Sequence, residues 1–507
     1  MKILLINPPI EGLQVVASGL VTECLGLGYV ASALERDGHD VAVMDALAEG
    51  CSNCRPSGEG RSYMGLELDA ISQRIVDTAP DLIGIGFAFT IYQHMSLQVA
   101  RTARKAVPGA VIIAGGNHAT VFHRELVLTP DIDLVVRGEG EETTRKIARA
   151  LEECREWRSI DGITCLDVQG SVQVNPDADF IKDLDEIPSP AHHLMSMDKI
   201  LEHQERYRHP NAYLRFPVAD IITSRGCPGH CAFCSVKTIW KNSWRAHSPE
   251  RVVSDIEQLV RNFGIREIRI YDDNCTVKKE RMIRICQLII ERGLDISFTT
   301  PNGVAIWTLD EEVLRWMRKA GYYRMTLGIE SGSRDTQKYI GKIINLEKAR
   351  KIIRTANRLG IWTYSTFVIG FPHEREESVL DTIKFIKESG LDFVGVYLAQ
   401  PYPGTKLLDD FIKIGFQPDF MNSTSVMSSI ATQYHTAEEW AGFRSRIYSE
   451  FLKAKIRNVL LGRGILQIAL KLRSWELVKL FVRSLRIALG GPLGGWGRKP
   501  RSREDKT

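Results

Sequence analysis

Three of the ten cysteines in this chain are closely spaced. Cys227, Cys231 and Cys234 form a C-x3-C-x2-C motif directly after an apolar segment, whereas the other seven are scattered. Three thiolates on one short loop suit a [4Fe–4S] cluster, whose irons prefer soft sulfur ligands. Because three ligands leave one iron open, such a cluster is able to bind and reduce a substrate directly rather than only carry electrons.

Zinc is the other metal that these cysteines could bind. Structural zinc sites usually draw paired ligands from two places and close all four positions. No second pair follows at a suitable distance, although His230 or His247 could supply a fourth ligand. The spacing therefore favours a cluster over zinc, and over three cysteines with a purely structural role.

Acidic and glycine-rich motifs follow, each at the expected end of a strand. They are Asp272-Asp273-Asn274, Glu330 within Gly328–Gly332, and Gly370 within Ile369–Pro372. Carboxylates bind cations through charge-assisted hydrogen bonds, but an isolated Asp pair at a strand end is more often a turn or a helix cap. The combined order and spacing of the motifs favour a ligand site.

Six strand–helix units carry these motifs. The predicted strands are Val218–Thr223, Glu267–Asp272, Asp295–Thr300, Tyr323–Glu330, Trp362–Ile369 and Phe393–Leu398. A full barrel needs eight such units, so residues 216–425 are predicted to form a partial (β/α)6 barrel. Ligand chemistry gathers at the carboxyl ends of barrel strands, which is where the motifs fall.

Residues 1–150 also alternate strands with helices, which predicts a doubly wound, Rossmann-like α/β domain. Its loops and helix starts contain Gly26, Gly86, Gly115, Gly116 and Gly138. A glycine in such a loop lets a cofactor approach the backbone closely, although any single one is more often an ordinary turn residue. Residues 151–215 are predicted to be a linker with a hairpin at Gln169-Gly170.

The motifs SRGCxxHCxFC, YDDN and GIESG resemble those of the radical S-adenosylmethionine (SAM) superfamily. With GLGY at residues 26–29, the resemblance extends over roughly residues 1–420 to the cobalamin-dependent, methyltransferase-like branch. It implies that Cys227, Cys231 and Cys234 hold the cluster and that SAM chelates the open iron. It further implies that Phe233 lies beside the adenine, Asp272 and Asp273 accept the SAM ammonium, Glu330 binds the ribose, and Gly370 lines the adenine.

For the N-terminal domain the resemblance implies a cobalamin site. Its residues would be Asn7, Gly26, Gly86, Gly115, Gly116, His118, Gly138 and Glu139. The Asp-x-His-x-x-Gly motif, whose histidine ligates cobalt, is missing, because Ala42 replaces the glycine after Asp37-Gly38-His39. We therefore expect cobalt without a histidine ligand and the loop Phe87–Tyr92 beneath it. Cys51 and Cys54 are interpreted as a chance pair.

The net charge of +4 conceals a basic C-terminal end. Residues 451–507 contain 14 Lys and Arg against 3 Asp and Glu. Residues 426–490 are predicted to be helical and 491–507 to be a disordered basic tail. A basic end suits an anionic membrane, a nucleic acid or another acidic surface, but it also suits a solvated tail or a helix packed on the barrel. Little aromatic interleaving disfavours nucleic acid.

The composition, 44% hydrophobic and 25% charged, is that of a globular protein. We expect a cytoplasmic location, because no run of eighteen apolar residues and no signal-peptide pattern occurs.

The resemblance implies an enzyme of the class B type, which transfers a methyl group to an unactivated carbon of a small-molecule biosynthetic intermediate. It also implies an external one-electron reductant of the flavodoxin or ferredoxin type. The alternatives are radical cyclisation or rearrangement, methylation of phosphorus, a nucleic-acid modifier, and a non-catalytic cobalamin-binding regulator. The intact cysteine motif disfavours the regulator, which would not need an open cluster.

Overall fold

The computed structural model describes residues 1–13, 21–58, 61–206, 213–418, 430–472 and 478. These residues form two compact units, one up to residue 206 and one from residue 213 onward. No helix among them is long and apolar enough to cross a membrane. The predicted tail, 491–507, lies outside the described residues.

The N-terminal unit contains ten strands and eight α-helices. The strands are β1 (Lys2–Asn7), β2 (Ile10–Leu13), β3 (Asp40–Asp45), β4 (Cys54–Gly58), β5 (Arg61–Met64), β6 (Leu82–Gly86), β7 (Val111–Gly115), β8 (Leu134–Val136), β9 (Ile163–Leu166) and β10 (Val172–Val174). The helices are α1 (Leu25–Arg36), α2 (Ala46–Glu49), α3 (Leu68–Thr78), α4 (Gln93–Ala106), α5 (Asn117–Val121), α6 (His123–Val127), α7 (Gly140–Glu152) and α8 (Met197–Arg206). Two 3-10 turns, Thr90–Tyr92 and Leu184–Glu186, complete it.

Seven of these strands form one sheet in the order β10-β9-β8-β7-β6-β1-β3. Five neighbouring strands, β3-β1-β6-β7-β8, are parallel, which confirms the doubly wound α/β prediction. Their order reverses between β1 and β6. In open parallel sheets, the crevice at such a reversal is where ligands bind, at the carboxyl ends of the strands.

The apolar runs of the strands explain why both faces of this sheet are covered. In β1, Leu4 and Ile6 belong to one buried cluster and Ile3 and Leu5 to another on the opposite face. The first cluster takes in Val99 of α4, and helices α1 and α7 complete the second. A strand buried on both faces reads as a continuous apolar run because successive side chains alternate between the faces.

Two features differ from the sequence-based expectation. The hairpin at Gln169-Gly170 is present, but β9 pairs with β8, so the hairpin forms the edge of the seven-stranded sheet rather than part of a free linker. Strands β2, β5 and β4 form a separate antiparallel sheet, which the sequence analysis did not predict. Their sequences are short and lack apolar alternation, so only their mutual pairing identifies them as strands.

The C-terminal unit contains eight strands and ten α-helices. The strands are β11 (Val218–Ile221), β12 (Ser224–Gly226), β13 (Trp244–Ala246), β14 (Glu267–Ile270), β15 (Ser297–Val304), β16 (Tyr322–Glu330), β17 (Trp362–Ile369) and β18 (Phe393–Leu398). The helices are α9 (Val236–Trp240), α10 (Pro249–Phe263), α11 (Lys279–Glu291), α12 (Glu311–Lys319), α13 (Arg334–Tyr339), α14 (Leu346–Arg358), α15 (Glu376–Ser389), α16 (Lys406–Lys413), α17 (Ala437–Leu460) and α18 (Arg463–Lys471).

Six parallel strands form the sheet of this unit, in the chain order β11-β14-β15-β16-β17-β18. Each is joined to the next through helical connections, and within the described residues β11 and β18 do not pair with each other. This is the predicted partial barrel. Strands β12 and β13 form a small antiparallel pair that carries the cysteine loop between them.

The sequence also predicted helices at Trp440–Leu460 and Gly464–Leu489. Helices α17 and α18 occupy the first range and the start of the second, and residues 473–477 and 479–489 lie outside the described part of the chain. A capping box begins α17, in which the Thr436 hydroxyl and the Glu439 carboxylate each accept a backbone N–H of the other residue.

A buried ion pair joins the first two strands of the barrel sheet. Asp220 and Arg269 are opposite one another on β11 and β14, and Nη2 of Arg269 lies 2.7 Å from Oδ2 of Asp220. Nη1 of Arg269 donates to the Tyr213 hydroxyl at 3.0 Å. Both charged side chains are almost fully buried, so the attraction between them must replace the hydration that each one loses.

We expect Asp220→Asn to destabilise the chain by about 3–5 kcal/mol, because it leaves the Arg269 cation buried without its counter-charge. Glu311→Gln is the matched control, since it removes an exposed i,i+4 pair with Arg315 that contributes less than about 1 kcal/mol. Urea unfolding of the full chain measures both free energies. Equal costs for the two variants would contradict this account.

Candidate functional site

The cysteine loop follows β12 and ends at α9. Its middle is held by two backbone hydrogen bonds: the Ala232 N–H donates to the Ile340 carbonyl at 2.9 Å, and the Leu407 N–H donates to the Ala232 carbonyl at 3.1 Å. These bonds fix the loop against segments that follow β16 and β18. The cysteine loop is therefore positioned at the carboxyl ends of the barrel strands.

The three thiols of this loop lie near one another. A Cβ placed on Gly229 would lie 3.4 Å from the sulfur of Cys227 and 3.9 Å from that of Cys231. Burial raises the pKa of all three thiols, and the pKa of Cys234 rises to about 11. Within the described chain, no group of three or more His, Cys, Asp or Glu side chains is already arranged to hold a metal ion. Three thiols are nevertheless the donor type that iron–sulfur clusters prefer, and a bound metal would deprotonate them.

Asp272 and Asp273 follow β14 but have different surroundings. Asp272 is buried, and its carboxylate accepts the Thr223 N–H and the Thr223 hydroxyl, each at 2.6 Å, as well as the Ser224 hydroxyl. Burial raises the pKa of Asp272. Both of its oxygens are thus engaged in tying the end of β14 to the end of β11.

Asp273 has fewer protein partners. One of its oxygens accepts the Gly226 N–H at 3.1 Å, directly before Cys227. Burial, together with the neighbouring Asp272, raises the pKa of Asp273 to about 6, although the Gly226 hydrogen bond opposes this. Asp273 therefore lies at the start of the cysteine loop with one oxygen that makes no described hydrogen bond to the chain.

Glu330 ends β16 in the left-handed region, with φ of 64°. That conformation is unfavourable for a side chain with a Cβ and is found where function requires it. The Glu330 carboxylate accepts Nζ of Lys342 at 2.7 Å and the Thr366 hydroxyl at 3.1 Å. Lys342 also interacts electrostatically with Cys231 and Cys234, so it links the Glu330 region to the cysteine loop.

Gly370 follows β17 with φ of 92°, and Glu374 holds the segment that contains it. The buried Glu374 carboxylate accepts the Gly370 N–H at 2.7 Å and the Thr336 hydroxyl at 3.2 Å. Phe371, the next residue, lies 6.1 Å from Phe233 between ring centroids. The structure therefore brings Phe233 of the cysteine loop to the Gly370 segment.

Lys342 and Glu374 were not identified from the sequence. Lys342 lies in a loop twelve residues after Glu330, and Glu374 lies just before α15, where it looks like an ordinary N-terminal acidic residue. Both act across the fold rather than within a motif. The only signal in the sequence was that Glu374 lies four residues after Gly370.

The carboxyl edge of the N-terminal sheet offers backbone that is open to a ligand. A Cβ added to Gly26, Gly115 or Gly138 would meet no heavy atom within 4 Å. Gly116 is different, because its φ is 119° and a Cβ there would lie 2.7 Å from the Phe87 carbonyl oxygen. Gly86, at the end of β6, has only ordinary contacts around it. These glycines fit close approach by a large cofactor.

His118 is buried beside the loop Phe87–Tyr92. Its ring centroid lies 4.7 Å from that of Phe122 and 6.2 Å from that of Phe87. Nδ1 lies 3.1 Å from the Thr90 hydroxyl, whereas Nε2 is buried without a hydrogen-bond partner in the described chain. Burial lowers the pKa of His118 to about 4, so the imidazole is neutral near neutral pH.

The side chains of Asn7 and Glu139 both form hydrogen bonds within the protein. The Asn7 amide donates to Oδ1 of the buried Asp45 at 2.8 Å, at the end of β1 beside the strand-order reversal. The Glu139 carboxylate accepts the Ile181 N–H at 2.9 Å, which holds the segment after β10. Both lie at the predicted edge of the sheet; the contact of Asn7 orients the Asp45 side chain, and that of Glu139 positions backbone.

The comparisons with known proteins agree with this organisation. A model of the Radical SAM superfamily matches residues 221–386, and a model of the B12 binding domain matches residues 14–148. An uncharacterised methyltransferase of Pyrococcus horikoshii is 34% identical over 461 residues, which cover 90% of this chain and 94% of that protein.

The chain belongs to the cobalamin-dependent radical SAM family.

A second relative agrees with this family assignment, and a solved structure shares the fold. The cytidylyl-2-hydroxyethylphosphonate methyltransferase of Streptomyces wedmorensis is 32% identical, over 77% of this chain and 78% of that protein. The structure of the radical SAM methyltransferase TsrM from Kitasatospora setae, with cobalamin and a [4Fe–4S] cluster bound, shares the fold at a TM-score of 0.64. It is 18% identical and covers 80% of this chain and 76% of TsrM.

The family defines the cofactors of this radical SAM protein. They are a [4Fe–4S] cluster, SAM and cobalamin. The predicted fold class, an N-terminal cobalamin-binding α/β domain followed by a radical SAM domain, is confirmed. The assignment of individual residues to these cofactors stays a prediction.

Glu374 should make the stability of this radical SAM protein depend on pH. Burial raises the pKa of Glu374 to about 7 from an ordinary value of 4.5. The folded state therefore favours the protonated side chain, and the stability from this group is present below about pH 4.5 and is lost as the pH rises through about 7. We expect the wild type to lose stability relative to Glu374→Gln between about pH 5 and about pH 8.

Thermal unfolding of both proteins across this pH range measures the effect. The exposed Glu311→Gln variant is the control, because arginine neighbours lower the pKa of Glu311. A constant difference between wild type and Glu374→Gln at every pH would contradict a buried, titrating Glu374.

Proposed function

We propose that this chain is a methyltransferase of the class B type, which replaces a hydrogen atom on an unactivated carbon of a small molecule with a methyl group. The observation that carries the proposal is the convergence of the cysteine loop, Asp273, Glu330 and Gly370 at the carboxyl ends of one barrel sheet. The similarity to two methyltransferases supports it. An external one-electron donor of the flavodoxin or ferredoxin type and a cytoplasmic location belong to the same proposal.

The bound cofactors would supply a carbon-centred radical from one SAM molecule and a methyl group carried by cobalamin from a second. The chain's own part is to hold them. Cys227, Cys231 and Cys234 would ligate the cluster on a loop that is anchored through Ala232. Holding reactants in a fixed geometry is the main contribution of a protein to cofactor chemistry.

Asp273 is the better candidate for the SAM ammonium group. Asp272 was predicted to share this role, but three hydrogen bonds from Thr223 and Ser224 engage its carboxylate. Asp273 keeps an oxygen available next to Cys227. We therefore assign Asp272 to the shape of the site and Asp273 to the ligand.

Glu330 and the Gly370 segment would bind the remainder of SAM. The Glu330 carboxylate, held by Lys342 and Thr366, has the hydrogen-bond acceptors that a ribose diol requires. Phe233 and the backbone around Gly370 offer a flat, apolar surface for adenine, next to the Phe371 ring. Glu374 positions that backbone by accepting the Gly370 N–H.

In the N-terminal unit, the open glycines would hold cobalamin against the carboxyl edge of the sheet. His118 would act indirectly, because its Nδ1 contacts Thr90 in the loop predicted to lie beneath cobalt. Its buried Nε2 and its neutral state agree with a residue that shapes this loop.

A second candidate differs in the substrate. The phosphonate substrate named for the Streptomyces wedmorensis relative favours an acceptor carbon, or phosphorus itself, in a phosphonate-bearing molecule. Assays with free and cytidylyl-linked 2-hydroxyethylphosphonate separate this candidate from the first by a methylated product that contains phosphorus.

The cluster assignment predicts the behaviour of Cys231→Ala. Anaerobically reconstituted wild type, given SAM and a strong reductant, should release 5′-deoxyadenosine, and Cys231→Ala should release none above a protein-free background. Cys154→Ala is the matched control because Cys154 is an exposed cysteine outside the site, and it should retain full activity. Liquid chromatography with mass detection measures the product.

The methyl-transfer assignment adds a second product. If a second SAM supplies the transferred methyl group through bound cobalamin, S-adenosylhomocysteine would be released, so turnover should give it together with 5′-deoxyadenosine. Deoxyadenosine without S-adenosylhomocysteine during turnover would favour cyclisation or rearrangement. Failure of the wild type to assemble any cluster would reject the proposal as a whole.

The His118 assignment predicts weaker cobalamin binding in His118→Phe, by about tenfold, because one hydrogen bond that orders the loop is lost. His123→Phe is the matched control, since it also removes a histidine contact, to Thr164, outside the glycine edge. Equilibrium dialysis of hydroxocobalamin measures the affinity. Unchanged affinity in His118→Phe, or an equal loss in both variants, would contradict the assignment.

A further inference from the structure

Helix α17 has one face packed on the barrel and one face turned outward. Its buried side chains include Trp440, Ile447 and Ala454, spaced seven residues apart, and they lie against α15 and the edge strand β18. The Tyr448 hydroxyl accepts the Val396 N–H of β18 at 3.0 Å. The packing of this helix therefore fixes which of its side chains face outward.

The outward face carries an apolar stripe. Leu452, Ile456 and Leu460 follow one another at four-residue spacing, so they share one side of the helix, and they are 59%, 52% and 81% exposed. Leu461 and Ile465, on either side of the turn at Gly462 that separates α17 from α18, are 62% and 59% exposed. The exposed Val459 lies among them, so six exposed apolar residues fall within fourteen residues of the chain. A contiguous exposed apolar patch marks an interaction surface.

The charged residues within this segment of the sequence are all basic. Residues 451–475 contain six Lys and Arg and no Asp or Glu. Lys453 and Arg457 lie directly beside Leu452 and Ile456, and both are exposed. Glu450, the last carboxylate before the stripe, already forms ion pairs with Lys387 and Lys453. An exposed apolar stripe in a sequence segment whose charged residues are all basic is typical of a helix that lies on a membrane surface.

Two inward lysines hold these helices in place. Nζ of Lys471, at the end of α18, lies 2.6 Å from Oδ1 of Asn357 and forms an ion pair with Asp392. Lys455 of α17 lies 3.8 Å from the other oxygen of Asp392. Because Lys455 and Lys471 bind residues next to the barrel sheet, the two helices are held in place and the stripe is already exposed before any partner binds.

We infer that the apolar stripe of Leu452, Ile456, Leu460, Leu461 and Ile465 binds the surface of an anionic phospholipid bilayer. The apolar side chains would enter the headgroup region, Arg457 would contact lipid phosphates, and Lys453 would do so in exchange for its ion pair with Glu450. A second copy of this chain fits less well, since a symmetric contact would bring two basic faces together. The inference is independent of the reaction proposed for the barrel.

Vesicle flotation with the full chain tests this inference. Wild type should bind vesicles of phosphatidylcholine mixed with phosphatidylglycerol and should bind pure phosphatidylcholine much more weakly. Leu452→Ser/Ile456→Ser/Leu460→Ser should lower the partition coefficient more than about tenfold. Lys453→Gln/Arg457→Gln should lower the partition coefficient about fivefold for each charge removed. Added salt should also weaken vesicle binding by the wild type.

A matched triple variant controls for the loss of exposed apolar area in general. Leu128→Ser/Val168→Ser/Ile290→Ser replaces three exposed apolar residues elsewhere and should bind vesicles like the wild type. Thermal unfolding establishes that each variant is folded. Equal binding to neutral and anionic vesicles would overturn the inference, as would a wild type that ignores vesicles. A dimer that the stripe substitutions dissociate, without vesicle binding, would identify a protein interface instead.

Discussion

Carboxylates buried at the ends of strands depend on hydrogen bonds from the backbone, and much of the barrel's geometry follows from that need. Burial of a carboxylate costs several kcal/mol of free energy unless N–H and O–H groups replace its hydration. Asp272 obtains these donors from the end of β11, and Glu374 obtains them from the Gly370 segment. Each carboxylate thereby fixes the path of the backbone around it.

Parallel strands turn these local bonds into one site. Because every strand of a parallel sheet runs in the same direction, the segments after β11, β14, β16 and β17 emerge at the same end. Cys227, Asp273, Glu330 and Gly370 are far apart in the chain but follow these strands. The sheet aligns these four residues, and the hydrogen bonds to the buried carboxylates fix the exact position of the backbone beside them.

The fold and the central motif were accessible from the sequence because their signals are local. Apolar runs identified the strands of both sheets, and the cysteine motif lies within eight residues. Lys342 and Glu374 were inaccessible because their contacts connect separate loops. The sequence also could not show that Asp272 and Asp273 have different surroundings, because the hydrogen-bond donors to each carboxylate come from a separate segment of the chain. The sheet β2-β5-β4 was missed because polar, glycine-containing strands carry no apolar alternation.

The backbone conformation of Glu330 has a consequence for how this position tolerates change. With φ of 64°, a residue with a Cβ costs of order 1–2 kcal/mol relative to glycine, which adopts this conformation freely. A glycine here would relax the end of β16 and at the same time remove the carboxylate that Lys342 and Thr366 orient. The loss of an ion-pair partner for the mostly buried Lys342 opposes that gain, so stability alone does not favour glycine at position 330. The preference of the backbone for glycine and the need of Lys342 and Thr366 for a carboxylate thus act in opposite directions at this one position.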